Sequence, residues 1–340
     1  MKLFAAIDIG SYEVEMKIFQ ITSGKGIKEI DCVCHRMELG KDVYRDGRIG
    51  VEMTDELCRV LNDFVRIMKG YRVDDWRVCA TSAVREAGNQ LVFLDRVKRH
   101  TGLEVEVLSN ASQRFMDYKS IASRENEFNR IIQKGTAIVD VGGGSIQISL
   151  FDKDRLVASQ NMKIGNLRLR ERMMNEGVSL KHYETLLTEV VKNEFLSYKK
   201  LYLKDRVISN LIVVGDHIGD AVHKNVMTRA DFLNFYDDMI YRSDEDAAGR
   251  CEVPEDVISV LRPSLVVYRC FLEAADVENI WMPGLHLTDG MAYEYAQQNR
   301  LLKLGHDFDE DILAAARNAA KRYQCSKSHI KVCEDLAVGI

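Results

Sequence analysis

The chain carries one short pattern twice: Ala5-Ala6-Ile7-Asp8-Ile9-Gly10-Ser11 and Ala137-Ile138-Val139-Asp140-Val141-Gly142-Gly143-Gly144-Ser145. Each copy is an apolar run, then an aspartate, then glycine and serine. An apolar run of this length reads as a strand buried on both faces, with the carboxylate delivered near its end. The glycines that follow permit positive φ and close approach of backbone N–H groups to an anion. A plain hairpin turn also uses glycines, so neither turn is specific by itself. The duplication is what constrains the fold: two similar halves would each bring a carboxylate and an amide-lined turn to a shared cleft.

Two such halves describe an α/β fold of two actin-like (ribonuclease H-like) domains with a cleft between them. The first half reads as strands over residues 3–9, 14–21 and 30–37. A helix follows over 54–68 with Thr54 as its N-cap, then a strand over 75–80. A helix over 89–101 ends at Gly102, with Asn89 as its N-cap, and a strand over 105–108 leads to a helix over 112–125. The second half repeats the order: strands over 137–141, 146–151 and 155–163, a helix over 180–202 and a strand over 211–214. A helix over 255–275, interrupted by Pro263, then a strand over 279–282 and a helix over 288–302 complete it. The expected domains are residues 1–125 and 126–303, with the 288–302 helix packing back on the first domain. Residues 304–340 form a short helical C-terminal extension.

Composition narrows the function classes. At 340 residues, 46% hydrophobic and 29% charged, with 3 prolines, the chain is an ordinary globular one of two-domain length. A net charge of -5 leaves no global footprint for nucleic acid, so any polyanion must be met locally. No apolar stretch is long enough for a bilayer, and the N-terminus enters a core strand almost at once. The 8 cysteines contain no C-x-x-C and read as reduced thiols, which makes the expected location cytoplasmic.

Several segments, in order along essentially the whole chain, resemble the Ppx/GppA family of exopolyphosphatases and guanosine pentaphosphate phosphohydrolases. They are Asp8-Ile9-Gly10-Ser11, Leu39-Gly40 with Asp46-Gly47-Arg48, and Ala80-Thr81-Ser82-Ala83-Val84-Arg85-Glu86-Ala87-Gly88-Asn89. Asp140 to Ser145, Gly165-Asn166-Leu167-Arg168-Leu169 and Leu287-Thr288-Asp289-Gly290-Met291 continue the series. The resemblance implies hydrolysis of a terminal phosphate from polyphosphate or guanosine pentaphosphate, with a homodimer as the expected assembly. Residues 304–340 then resemble the start of a longer C-terminal domain.

It also implies a site. Gly10, Ser11, Gly142, Gly143, Gly144 and Ser145 would clamp the phosphate from opposite domains, and Arg85 offers a planar fork to its oxygens. Arg85 paired on the surface with Glu86 or Asp95 is the bland alternative. Asp8 and Asp140, with Asp216 after the 211–214 strand, are candidate ligands for Mg2+. Lys163, Arg168 and Arg170 could meet a polyanion or simply form a solvated face. The departures fall on the chemistry. The family's two catalytic glutamates correspond to Gln113 (or Ser112, if the register slips by one) and Gln147. Tyr12 and Glu15 replace an asparagine and a basic residue. Glutamine cannot accept a proton at neutral pH, and a lost general base costs on the order of 10²- to 10⁴-fold in rate. The catalytic positions are therefore Gln113, Gln147 and Asp140, and the alternative to an active hydrolase is an impaired binder of polyphosphate or guanosine polyphosphate. Glu13, Glu86 and Asp216 are candidate compensating acids.

Overall fold

Alternation along the first strand decides how the first half is layered. In a computed structural model describing residues 1–175, 180–203, 206–215, 217–302, 306 and 308–338, β1 spans Lys2–Ile9. Ala5, Ile7 and Ile9 enter one core while Phe4 and Ala6 enter another, so β1 is covered on both faces. It pairs antiparallel with β2 (Glu13–Thr22), which pairs antiparallel with β3 (Gly26–Arg36). Helices α1 (Leu39–Asp46) and α2 (Val51–Tyr71) follow. Next come β4 (Asp75–Ala80), α3 (Ser82–Glu86), α4 (Gln90–Thr101) and β5 (Val105–Val107), with β4 parallel to β1 and β5 parallel to β4. The sheet order is β3-β2-β1-β4-β5.

After α5 (Asn110–Ala122) and α6 (Glu125–Ile131) the same plan returns. Strands β6 (Thr136–Val141), β7 (Ile146–Asp152) and β8 (Arg155–Met162) form an antiparallel meander. Helices α7 (Asn166–Asn175) and α8 (Leu180–Tyr198) come next, and one turn of π-helix continues over Lys199–Leu203. Then come β9 (Asn210–Val214), α9 (Ile218–Val222), β10 (Val226–Thr228), α10 (Arg229–Met239), α11 (Asp244–Cys251), α12 (Glu255–Ala274) and β11 (Asn279–Trp281). The order β8-β7-β6-β9-β11 repeats that of the first sheet, and β10 is added antiparallel at the edge. This duplicated plan is the two-domain actin-like arrangement.

Two local expectations are corrected and one is refined. Thr54 lies inside α2, and the N-cap is Gly50, whose carbonyl accepts the Thr54 hydroxyl at 2.7 Å. Asn89 is the N-cap residue of α4, as expected, but its side chain makes no capping hydrogen bond. It accepts from Ile49 N–H and donates to Ile49 O instead. Pro263 does not interrupt α12, because heavily buried flanks hold the helix together through the missing donor. The Gly102 stop occurs, in the left-handed conformation that glycine tolerates.

Two helices tie the halves together. On α5, Met116 packs in the core under β1, while Tyr118, Ile121 and Ala122 pack under the second sheet. Helix α13 (Leu287–Gln298) buries Leu287, Met291, Ala292 and Ala296 against Phe4, Ala6 and Phe19 of the first sheet. Helix α14 (Phe308–Arg322) is pinned to β8 by the wholly buried Asp311, which accepts the Leu156 N–H at 3.0 Å. Helix α15 (Lys327–Val338) lies mostly exposed.

Candidate active site

Strand register places the duplicated carboxylates. Asp8 on β1 sits opposite Glu15 on β2, and Asp140 on β6 sits opposite Gln147 on β7. Each pair points to the sheet face that α5 covers, since Asp8 shares parity with Phe4 and Ala6, and Asp140 with Ile138. The turns that follow close alike: Gly10 N–H donates to Glu13 O at 2.9 Å, and Gly142 N–H to Ser145 O at 3.0 Å. None of the glycines at 10, 142, 143 and 144 has positive φ, so space, not conformation, demands them. A Cβ on Gly143 would lie 2.8 Å from Ser11 Cβ, and one on Gly144 2.1 Å from the Tyr44 hydroxyl. The two turns therefore meet face to face.

Between them is a cavity of about 120 Å³, with room for several waters. Asp8, Gly10, Ser11, Asp140, Gly142, Gly143 and Ser145 line it, together with Gln113. Ser11 Oγ is held by Ser82 Oγ at 2.7 Å and Tyr44 Oη at 2.9 Å. The N–H groups of Ser11, Gly143 and Gly144 donate to no carbonyl among the described residues. Gln113 and Gln147 converge on a single atom: their amides donate to Asp140 Oδ2 at 3.4 and 3.3 Å. Gln113 is thus the cavity residue, while Ser112 is spent on the Ser109 hydroxyl that caps α5.

Other expected members sit elsewhere. Arg85 does not line the cavity. Its guanidinium donates to Leu108 O at 2.6 Å and to Gln113 Oε1 at 3.4 Å, and it pairs with neither Glu86 nor Asp95. Arg168 stacks on the Tyr44 ring at 4.0 Å and pairs with Glu86 at 2.9 Å, which places Glu86 in a latch between the halves. Lys163 reaches the same Glu86 at 4.0 Å from an exposed position. Arg170 is no part of a solvated face: it is buried between Glu38 and Glu171. Asp216 lies outside the described residues. Among those described, no three His, Cys, Asp or Glu side chains are grouped to hold a metal ion.

The sequence pattern did not single out Asp117 or His286, and both line the cavity. Asp117 lies one helical turn after Gln113, so the two share a face of α5. That i,i+4 spacing was its available signal. Among the described residues, Asp117 Oδ2 is enclosed without a hydrogen-bond partner, as is Asp8 Oδ1. Burial, then Asp140 and Asp8, raise the Asp117 carboxyl well above the usual range. Burial, then Glu15 and Glu13, do the same for Asp8. Glu15 goes the other way. Burial pulls it up, but the His286 ring at 2.7 Å, with Lys17 and the Thr288 hydroxyl, lowers it to about 2. Burial pulls His286 down and Glu15 more than reverses this, to about 9.

The Ppx/GppA phosphatase family model matches residues 17–299. The chain belongs to the Ppx/GppA phosphatase family. A bifunctional 3-dehydroquinate synthase/phosphatase of Fusobacterium nucleatum is 26% identical over 180 residues, covering 50% of this chain and 26% of that protein. Exopolyphosphatase 2 of Mycobacterium tuberculosis is 27% identical over 50% of this chain and 54% of its own length. Thus the matched stretch spans about half or less of these curated relatives. The crystal structure of the Aquifex aeolicus Ppx/GppA member superposes with a TM-score of 0.70 at 22% identity, covering 88% of this chain and 98% of that one. The fold is therefore that of the Ppx/GppA proteins. No described helix is long and apolar enough to cross a membrane.

Proposed function

We propose that this Ppx/GppA chain hydrolyses the terminal phosphoanhydride of inorganic polyphosphate or guanosine pentaphosphate. One observation carries the reading: two glycine turns from opposite halves meet across a cavity that holds Asp8 and Asp140. The amides of Ser11 and Gly143 and the Ser145 hydroxyl are the cavity-lining donors available to a phosphoryl group, while Gly144 lies against Tyr44 and does not line the cavity.

Charge sets a condition on this reading. Asp8, Glu13, Glu15, Asp117 and Asp140 line the cavity, and no lysine or arginine does so among the described residues. A polyanion entering there needs a counter-charge. The enclosed, unpartnered Asp8 Oδ1 and the hard carboxylate donors fit Mg2+, which takes one or two protein carboxylates and completes its shell with water and substrate phosphate. Asp8 and Asp140 would hold it, and bound there it would neutralise the phosphoryl oxygens. Asp140 is oriented toward that task by the amides of Gln113 and Gln147.

Those same amides favour a second reading, a binder of polyphosphate or guanosine polyphosphate with slow turnover. Phosphate release from polyphosphate and pentaphosphate, with and without Mg2+, separates the two. The hydrolase reading expects Mg2+-dependent release, which increases when Gln113→Glu and Gln147→Glu are combined. Binding without release in the native chain, with release only in the double variant, selects the binder. No binding and no release by either protein would overturn both.

A further inference from the structure

We propose that Asp117 is the carboxylate that activates the attacking water in this chain, one helical turn displaced from position 113; this rests on the hydrolase reading above. Asp117 is only 6% exposed, lines the cavity beside Asp8 and Asp140, and has an enclosed Oδ2 that no group among the described residues satisfies. A carboxylate buried for structural reasons is ordinarily paired, because leaving it unpaired is costly. Of the other described acids at or near the cavity, Asp8 also has an unpartnered oxygen and is the one that would hold Mg2+, and the rest are already engaged. Glu15 gives one oxygen to His286 and the other to Thr288. Asp140 Oδ2 holds two amides. Glu86 is bound to Arg168 away from the cavity, and Glu13 takes the Cys34 thiol at 3.2 Å. Gln113 is spent as well, with its amide on Asp140 and its carbonyl on Arg85.

The position follows from the helix. Residues four apart on α5 face the same way, so a carboxylate at 117 looks into the gap that residue 113 enters. In the reaction, Asp117 takes a proton from water as the water oxygen bonds to the terminal phosphorus. The bond from that phosphorus to the bridging oxygen breaks, and the bridging oxygen leaves with the electron pair on the shortened chain. Inorganic phosphate is the second product, and Asp117 then returns the proton to solvent.

The test is phosphate release from polyphosphate in Mg2+ by the native chain, Asp117→Asn, Asp117→Glu and Asp117→Asn/Gln113→Glu, with thermal unfolding of each. Asp117→Asn is expected to lower kcat on the order of 10²- to 10³-fold with little change in KM. It should leave Tm at or above the native value, since the side chain removed is an unsatisfied buried carboxyl. Asp117→Glu should retain most of the activity, and Gln113→Glu should recover on the order of 10-fold in the Asp117→Asn background. A purely structural Asp117 would lower Tm and show no rescue, which overturns the proposal. So does an Asp117→Asn variant that keeps native kcat, a result that leaves the hydrolase reading standing. A native chain that releases no phosphate overturns both.

Discussion

The two strand-turn-strand units are superposable in register and opposite in chemistry. In the first, Asp8 faces Glu15, and Glu15 is drawn away to His286 and Thr288 at the start of α13. In the second, Asp140 faces Gln147, and Gln147 turns inward to bond Asp140 itself. Like charges directly opposite on a sheet repel. The first unit relieves this with a cation from a distant helix, and the second by replacing one acid with an amide. One half of the cleft therefore spends its second carboxylate on docking α13, while the other spends its amide on orienting the remaining acid. The duplicated backbone fixes where side chains point, and the third layer decides what they do.

The largest test of this contrast is Glu15→Gln, which makes the first unit resemble the second. Breaking a buried ion pair costs about 3–5 kcal/mol. The His286 side chain is 36% exposed, and solvent screening brings the expected loss to roughly 2 kcal/mol at neutral pH. Glu15 is lowered from 4.5 to about 2, so its contribution is present above pH 4.5 and lost as pH falls through about 2. His286 is raised from 6.5 to about 9, so its contribution is present below pH 6.5 and lost as pH rises through about 9. Denaturant unfolding should show native stability declining over that upper window, and the variant should be flat there. An unchanged pH slope in Glu15→Gln would mean that the pair does not anchor α13.

A second test separates the turns. A Cβ on Gly10 would lie 2.7 Å from the Glu13 carbonyl oxygen, a backbone atom with little freedom to move, whereas one on Gly142 meets Ser145 O at 3.5 Å, an ordinary contact. Gly10→Ala should lose about 1–3 kcal/mol by overpacking. Gly142→Ala should be neutral or gain a few tenths, about what restricting the unfolded chain contributes. Urea midpoints of the two variants measure the difference. Equal losses would show that the turns are not as distinct as their spacing implies.

The sheets were legible because strand periodicity and the duplicated aspartates are local features, and β4 over Asp75–Ala80 falls on the expected residues. Helices α5 and α13 also fall close to the expected 112–125 and 288–302, but α7 and the polar residues that these helices bury were not legible. Helix α7 carries Arg170, buried by its bonds to Glu38 and Glu171, so its apolar stripe is broken by a charge that only tertiary pairing allows inside. Asp117 was hidden for the same reason. A lone acid in a helix reads as solvent-facing until α5 is known to run between two sheets. The positions of Gln113 and Gln147 could be read from the resemblance, but their convergence on one oxygen of Asp140 depends on register across both halves.

The smallest expected effect concerns the seam itself. Tyr44 Oη bonds Ser11 at 2.9 Å and Ser82 at 3.2 Å, and it occupies the space that a side chain on Gly144 would need. Tyr44→Phe keeps the ring under Arg168 and removes only the hydroxyl, so it should cost about 1 kcal/mol. Gly144→Ala should cost more in the native background than in Tyr44→Phe, where the colliding oxygen is gone. A coupling energy of about 0.5 kcal/mol or more in that double-mutant cycle is expected if the glycine is required for contact between the halves. Strict additivity would assign Gly144 to the turn's own backbone, and the match between the two halves at this point would then be one of sequence only.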